Sequence, residues 1–218
     1  MKLFFDFDDF FFDTENAYAP DMFMLIRETT GATEEEMRET FEIFSLASFS
    51  AGTPYSVRRH VDLLAERRDF DRDAVMKIVD EFLMDLTRYV FEGAAVFLSK
   101  YAKDDLWILT YGEDGFQRQK IHGSGLEDFF HEIIVASGNK LDEIDRVRIR
   151  DGFDLAETVV FGDNRCEYFS GAKERGIIGI HLKRPGDKYS LKPCGECEYR
   201  VSDFEELSAR IERIRKGA

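Results

Sequence analysis

Basic residues are in short supply. The chain has 218 residues, with 30 Lys and Arg against 44 Asp and Glu, a formal net charge of −14. No sustained basic run occurs, so nucleic acid is excluded as a main partner, because a phosphate backbone needs a basic surface. Cysteine is also scarce: three residues do not make a disulfide scaffold. There is no run of about 18 apolar residues, so no membrane span or membrane partner is expected. The apolar N-terminus is broken by Asp6, Asp8 and Asp9, which a secretory leader would not tolerate. Together these absences predict a soluble, cytoplasmic protein. The amides number only five (Asn16, Asn139, Asn164, Gln117 and Gln119) in a chain that is 34% charged, a weak sign of a thermophilic source.

What is present is globular in composition, 44% hydrophobic, with the length of one domain or one domain carrying an insert. Five of the first 15 residues are acidic, interleaved with Phe4, Phe5, Phe7, Phe10, Phe11 and Phe12. Lys2 to Phe7 reads as a short buried strand ending in acid. A block with helical periodicity follows, over roughly residues 20–90. Thr33 with Glu36 forms a capping box ahead of Met37, Phe41 and Phe44. Pro54 opens a second helix with Val57, Val61 and Leu64 on one face. Asp71 starts a third, striped by Val75, Ile78, Val79, Phe82, Leu86 and Tyr89. From about Phe91 helices alternate with apolar strands, at Leu106–Thr110, Glu132–Ala136, Thr158–Gly162 and Ile177–Leu182. Alternation of this kind implies right-handed crossovers and a parallel sheet. A last helix begins at Asp203, with Glu206 three residues on and Arg213, Arg215 and Lys216 at its end.

The predicted fold is therefore α/β: a Rossmann-like parallel sheet flanked by helices, with an all-helical insert after the first strand. In such sheets ligands bind beyond the carboxyl ends of the strands. Asp6, Asp8, Thr110, Lys140 and Asp163 all fall at that edge. Asp6 and Asp8 are two apart, so an extended chain points both to one face. Carboxylates about 4 Å apart repel by roughly 4 kcal/mol at an effective dielectric near 20, and a proton, a Lys or a divalent cation must offset that. Two carboxylate positions, a hydroxyl and an ammonium at strand ends describe a metal-plus-phosphate site.

In this arrangement the chain resembles the haloacid dehalogenase (HAD) superfamily, in its phosphoglycolate-phosphatase-like branch. Four motifs in order carry the resemblance: Asp6-Phe7-Asp8 after an apolar strand, Thr110 ending another, Lys140, and Gly162-Asp163 with Glu167 downstream. The resemblance implies a HAD-like core over 1–13 and 91–218 and a helical cap over 14–90 that would close over the site and exclude water. It implies a Mg²⁺-dependent phosphoric monoester hydrolase acting on a small phosphorylated substrate. Asp6 would be the nucleophile and form an aspartyl-phosphate. Asp8 would be the general acid and then the base. Thr110 and Lys140 would hold the phosphoryl group. Asp6, the main-chain carbonyl of Asp8, and Asp163 would bind Mg²⁺, with Glu167 nearby. This sequence departs from the family in having Phe10 where Thr is usual, Asp9 for Gly, Leu141 for Pro after the Lys, and Tyr168 where spacing from Gly171-Ala172 puts the second acid.

Other readings stand beside these. The Phe run is core plus a flap; Phe10, Phe11 and Phe12 cannot all be buried if strand alternation continues, so some are expected to wall the substrate. Arg58, Arg59 and His60 read as a solvated face of a cap helix, or as a reader of the far end of an anionic substrate. Cys194 and Cys197 form a C-x-x-C with no second pair, and Cys166, His181, His122 and His131 stand at no recognised spacing. A structural turn, a labile disulfide or no role at all is favoured over zinc. The fold would also serve a phosphomutase, a haloacid dehalogenase or a non-catalytic phosphate- or metal-binding regulatory module. Asp8 argues against the dehalogenase, because a halide needs no proton to leave.

Overall fold

The computed structural model describes residues 1–51, 54–153, 157–184 and 194–217, with only the backbone over 45–51. Among the described residues six strands form one sheet: β1 (Lys2–Phe5), β2 (Leu106–Tyr111), β3 (Glu132–Ala136), β4 (Val159–Asp163), β5 (Ile177–Leu182) and β6 (Tyr199–Val201), in the order β3-β2-β1-β4-β5-β6. β1 pairs in parallel with β2 and β4, β4 with β5, and β5 with β6. The α/β pattern thus forms the expected parallel sheet. The central strands are apolar on both faces because both are covered: Leu3, Phe4 and Phe5 of β1 and Val159, Val160 and Phe161 of β4 are fully buried.

The helices are α1 (Ala19–Thr30), α2 (Glu34–Ala51), α3 (Val57–Ala65), α4 (Arg72–Leu83), α5 (Ala94–Leu98), α6 (Asp114–Gly123), α7 (Lys140–Arg150) and α8 (Phe204–Arg215). Their starts follow local chemistry. Thr33 and Glu36 cap each other ahead of α2, at 2.7 and 3.2 Å. Asp71 caps α4 through the N–H groups of Asp73 and Ala74. Asp203 accepts from the Glu206 N–H at 2.8 Å, and Glu206 reaches back to the Ser202 N–H at 2.8 Å. Pro54 precedes α3 by three residues, and Ser56 is the cap itself.

The chain divides into two compact units, one of Met1–Phe12, Phe91–Thr110 and Leu126–Ala218, the other of Asp13–Val90 and Tyr111–Gly125. The first contains the sheet. The second contains α1 to α4 and also α6, a helix that the sequence places with the sheet. Within it, a Cβ on Gly123 of α6 would collide with the Leu83 carbonyl, and the Gly123 carbonyl accepts from the Leu86 N–H at 2.8 Å. That close approach, which only Gly permits, ties α6 to the end of α4. Among the described residues no helix is long and apolar enough to cross a membrane.

His60 lies inside the helical unit and is fully buried, whereas Arg58 and Arg59 are exposed. The expected solvated trio is therefore split by the helix face that α3 buries. The Thr40 hydroxyl donates to the Glu36 carbonyl at 2.7 Å, so it accepts from His60 Nε2–H at 2.8 Å. His60 Nδ1 then accepts from the Tyr55 hydroxyl at 3.0 Å. This is a neutral imidazole with both nitrogens satisfied, ringed by Phe23, Phe41 and Phe44. Burial pushes its pKa down to about 4. Below its ordinary pKa of about 6.5 the unfolded chain takes up a proton that the folded one refuses. The His60 contribution is complete above that pH and is lost as pH falls towards 4. The expected result is a fall in Tm between pH 6.5 and 4 that is shallower in His60→Asn, read by thermal unfolding across pH; parallel slopes would contradict it.

Candidate active site

β1 lies at the centre of the sheet with β2 on one side and β4 on the other, so the connections diverge there. In open parallel sheets such a divergence, at the carboxyl ends of β1 and β4, is where ligands bind. The register puts Phe5 opposite Gly162, and the Asp6 N–H donates to the Gly162 carbonyl at 2.9 Å. Asp6, just past β1, and Asp163, closing β4, therefore sit side by side. Gly162 is small for a reason: a Cβ there would lie 2.6 Å from a Phe5 ring carbon and 3.0 Å from Phe10.

Lys140 enters from the first turn of α7, where Asn139 caps the helix through the Leu141 N–H. Its ammonium is 2.9 Å from Asp6 Oδ1 and 2.8 Å from Asp163 Oδ2. All three side chains are buried. Asp6 also accepts from the Phe7 N–H at 2.8 Å, and Asp163 from the Arg165 N–H at 2.8 Å. Burial, then the nearby Asp163 charge, push the Asp6 carboxyl up to about 7 against the pull of Lys140. Burial raises Asp163 as well, again opposed by Lys140. For Lys140 burial works against the charge, but the Asp163 and Asp6 carboxylates outweigh it and hold its pKa above the ordinary lysine value. One cation between two buried carboxylates leaves a net negative charge that a further cation would neutralise.

Thr110 is buried in β2, two residues beyond the Ile108 that pairs with Phe5. Asp8 is half-buried in a tight turn. The Phe7 carbonyl accepts from the N–H groups of Phe10, Phe11 and Phe12 at 3.0 to 3.3 Å, and Asp9 adopts a left-handed φ of 55°. This turn corrects the expectation for the Phe run. Strand alternation stops at Phe7, so Phe10, Phe11 and Phe12 are all fully buried. Phe10 and Phe11 pack with Phe5 and Phe204, and Phe12 stacks on Phe7. They are core, not a wall around a ligand. Arg184, which no sequence pattern marked, secures the turn by donating to the carbonyls of Asp9 and Phe10 at 2.9 and 2.6 Å.

Glu167 stands apart. It is exposed on the 3₁₀ turn Cys166–Phe169, and among the described contacts none draws it to Lys140 or Asp163. Its neighbour Tyr168 is the one that turns inward, its ring centroid 4.4 Å from the Lys140 ammonium. Sequence spacing already put the family's second acid at position 168; the residue there supplies a π face in place of a carboxylate. Lys120, also buried, belongs to the helical unit, where it lies against Gln117 and the rings of Tyr18 and Phe116.

No protein-family model matches the chain, and no curated protein matches it by sequence. Solved structures do match its fold. A haloacid dehalogenase-like hydrolase from Burkholderia xenovorans superposes with a TM-score of 0.72 at 20% identity, over 95% of this chain and 94% of that one. A HAD-hydrolase from Bacillus subtilis, bound to magnesium, gives 0.61 at 19% identity, over 96% and 97%. An L-2-haloacid dehalogenase from Xanthobacter autotrophicus gives 0.61 at 16% identity, over 97% and 98%. The fold is that of the haloacid dehalogenase-like hydrolases.

Proposed function

We propose that the protein is a Mg²⁺-dependent phosphatase of small phosphorylated metabolites, of the sugar phosphate, nucleotide or phosphoglycolate type, working through an aspartyl-phosphate on Asp6. The observation that carries this reading is the buried Asp6–Lys140–Asp163 cluster at the sheet's switch point, with Asp8 two residues beyond Asp6. The donor set fits Mg²⁺: hard carboxylate oxygens of Asp6 and Asp163 and the Asp8 carbonyl. Asn164 adds a buried side-chain amide with neither its oxygen nor its nitrogen hydrogen-bonded, which a hydrated ion's waters would satisfy. When bound, the ion would neutralise charge on the phosphoryl oxygens.

The chain's own residues supply the rest. An Asp6 oxygen attacks phosphorus as the bond to the leaving oxygen breaks. Asp8 donates a proton to that oxygen, and then takes one from the water that hydrolyses the aspartyl-phosphate. Lys140 and Thr110 hold the phosphoryl oxygens. Phosphate release from an aryl phosphate, with Mg²⁺ and with excess chelator, tests the reading; activity is expected only with the metal. Asp8→Asn is expected to lose about 10²- to 10⁴-fold on alkyl phosphates and clearly less on a nitrophenyl phosphate, whose leaving group needs little protonation. Equal losses on both would remove Asp8 from the acid role.

A second reading is a haloacid dehalogenase, favoured by the fit to an L-2-haloacid dehalogenase over nearly the whole chain. There Asp6 would attack carbon and displace halide. Halide release from a 2-haloacid, without phosphate release, would decide for it.

A further inference from the structure

Three sulfurs and an imidazole converge close to Asp163. Cys166 opens the turn after β4, His181 lies in β5 opposite Asp163 in register, and Cys194 and Cys197 lead into β6. The ligand atoms of His181, Cys194 and Cys197 all lie within 4.8 Å of one another. Cys166 joins the group through a disulfide to Cys194, leaving Cys197 as a free thiol. The sequence favours a turn or a labile disulfide for the C-x-x-C and offers no partner by spacing; the β5 crossover is what brings the partners together.

The imidazole is arranged for a metal. His181 Nε2 is 2.9 Å from the Asn164 carbonyl, and a carbonyl only accepts. Nε2 therefore carries the hydrogen and Nδ1 the lone pair. A backbone carbonyl that fixes the tautomer and the ring in this way is the usual support of a metal-bound histidine. His181 and Cys194 are buried, Cys166 and Cys197 half-buried. The Cys194 carbonyl accepts from the Arg200 guanidinium and lies 4.0 Å from the Cys197 sulfur, so a positive charge shares an acceptor with a thiol that must become a thiolate to bind. The Glu198 N–H, bonded to the Gly179 carbonyl at 3.0 Å, anchors the C-x-x-C against β5. Thiolates with one imidazole make a soft, tetrahedral donor set, unlike the hard oxygens around Lys140.

We propose that the reduced chain binds one Zn²⁺ through Cys166, His181, Cys194 and Cys197, and that the ion braces the loop carrying Asp163. The Cys166–Cys194 bond is the oxidised alternative for the same sulfurs. A dithiol reductant passes two electrons and two protons to it, giving two thiols and its own disulfide. Zinc binding then releases the thiol protons to solvent.

The test uses the full chain, reduced with a dithiol, supplied with zinc, and desalted anaerobically. Elemental analysis is expected to find about one zinc per chain, with the thiols slow to react with a disulfide reagent until the ion is chelated. Cys197→Ser and His181→Asn are each expected to retain less than about a tenth of that zinc. Should either variant fail to fold, cobalt substitution of the unmodified chain decides, since tetrahedral thiolate ligation gives a sulfur-to-cobalt charge-transfer absorption. Zinc absent from the reduced chain with its thiols freely reactive, zinc held equally by both folded variants, or cobalt bound without that absorption would each overturn the proposal. None of these readouts depends on phosphatase activity.

Discussion

Asp6→Asn is expected to abolish phosphate release, by on the order of 10³-fold or more, while leaving the metal-free chain at least as stable as before. The loss follows from removing the oxygen that attacks phosphorus. The retained stability follows from the electrostatics of the cluster. Asp6 is buried beside Asp163 with a single ammonium between them, and its carboxyl is pushed up to about 7. An amide is nearly isosteric and removes the repulsion, while Lys140 keeps Asp163 as its partner. Activity assays and urea unfolding of the same preparations check both halves. An active Asp6→Asn, or an inactive one that has simply unfolded, would contradict the account.

Lys140→Met is expected to cost about 3–5 kcal/mol of stability in metal-free buffer, because it strands two buried carboxylates without their cation. The cost should shrink when Asp6→Asn is added, since only Asp163 then remains charged. Contacting groups of this kind couple by about 0.5–3 kcal/mol in double-mutant cycles, so the pair should depart from additivity in the stabilising direction. Strict additivity in urea unfolding would mean that Lys140 and Asp6 do not share one electrostatic cluster.

The strands were legible as short, mostly apolar runs rich in β-branched residues: the edge strand Glu132–Ala136 and the largely buried Ile177–Leu182 are read from the sequence with the bounds that the structure gives. Capping chemistry is equally local, so Thr33, Asp71 and Asp203 could be placed by residue type alone. What depends on pairing across the chain was not legible. β6 has three residues and exists because β5 offers it an edge. The burial of Phe10, Phe11 and Phe12 depends on a turn at Asp9 that period-two alternation does not encode. Cys166 and Cys194 are 28 residues apart, and only the crossover to β5 brings them together.

The candidate site divides along the same line. Asp6, Lys140 and Asp163 are brought within hydrogen-bonding distance because they occupy neighbouring strand and helix ends, which strand order alone could anticipate. The question between Glu167 and Tyr168 is one residue of rotation on a short 3₁₀ turn, finer than any sequence periodicity resolves. The structure turns Tyr168 to the lysine and leaves Glu167 exposed.

On the proposed mechanism Asp6 becomes phosphorylated during turnover. Mass spectrometry of the chain, quenched in acid while it hydrolyses an aryl phosphate, tests this most directly. A phosphoryl group is expected on Asp6, present with Mg²⁺ and absent with chelator. Steady phosphate release with Asp6 unmodified, and undiminished in Asp6→Asn, would contradict it.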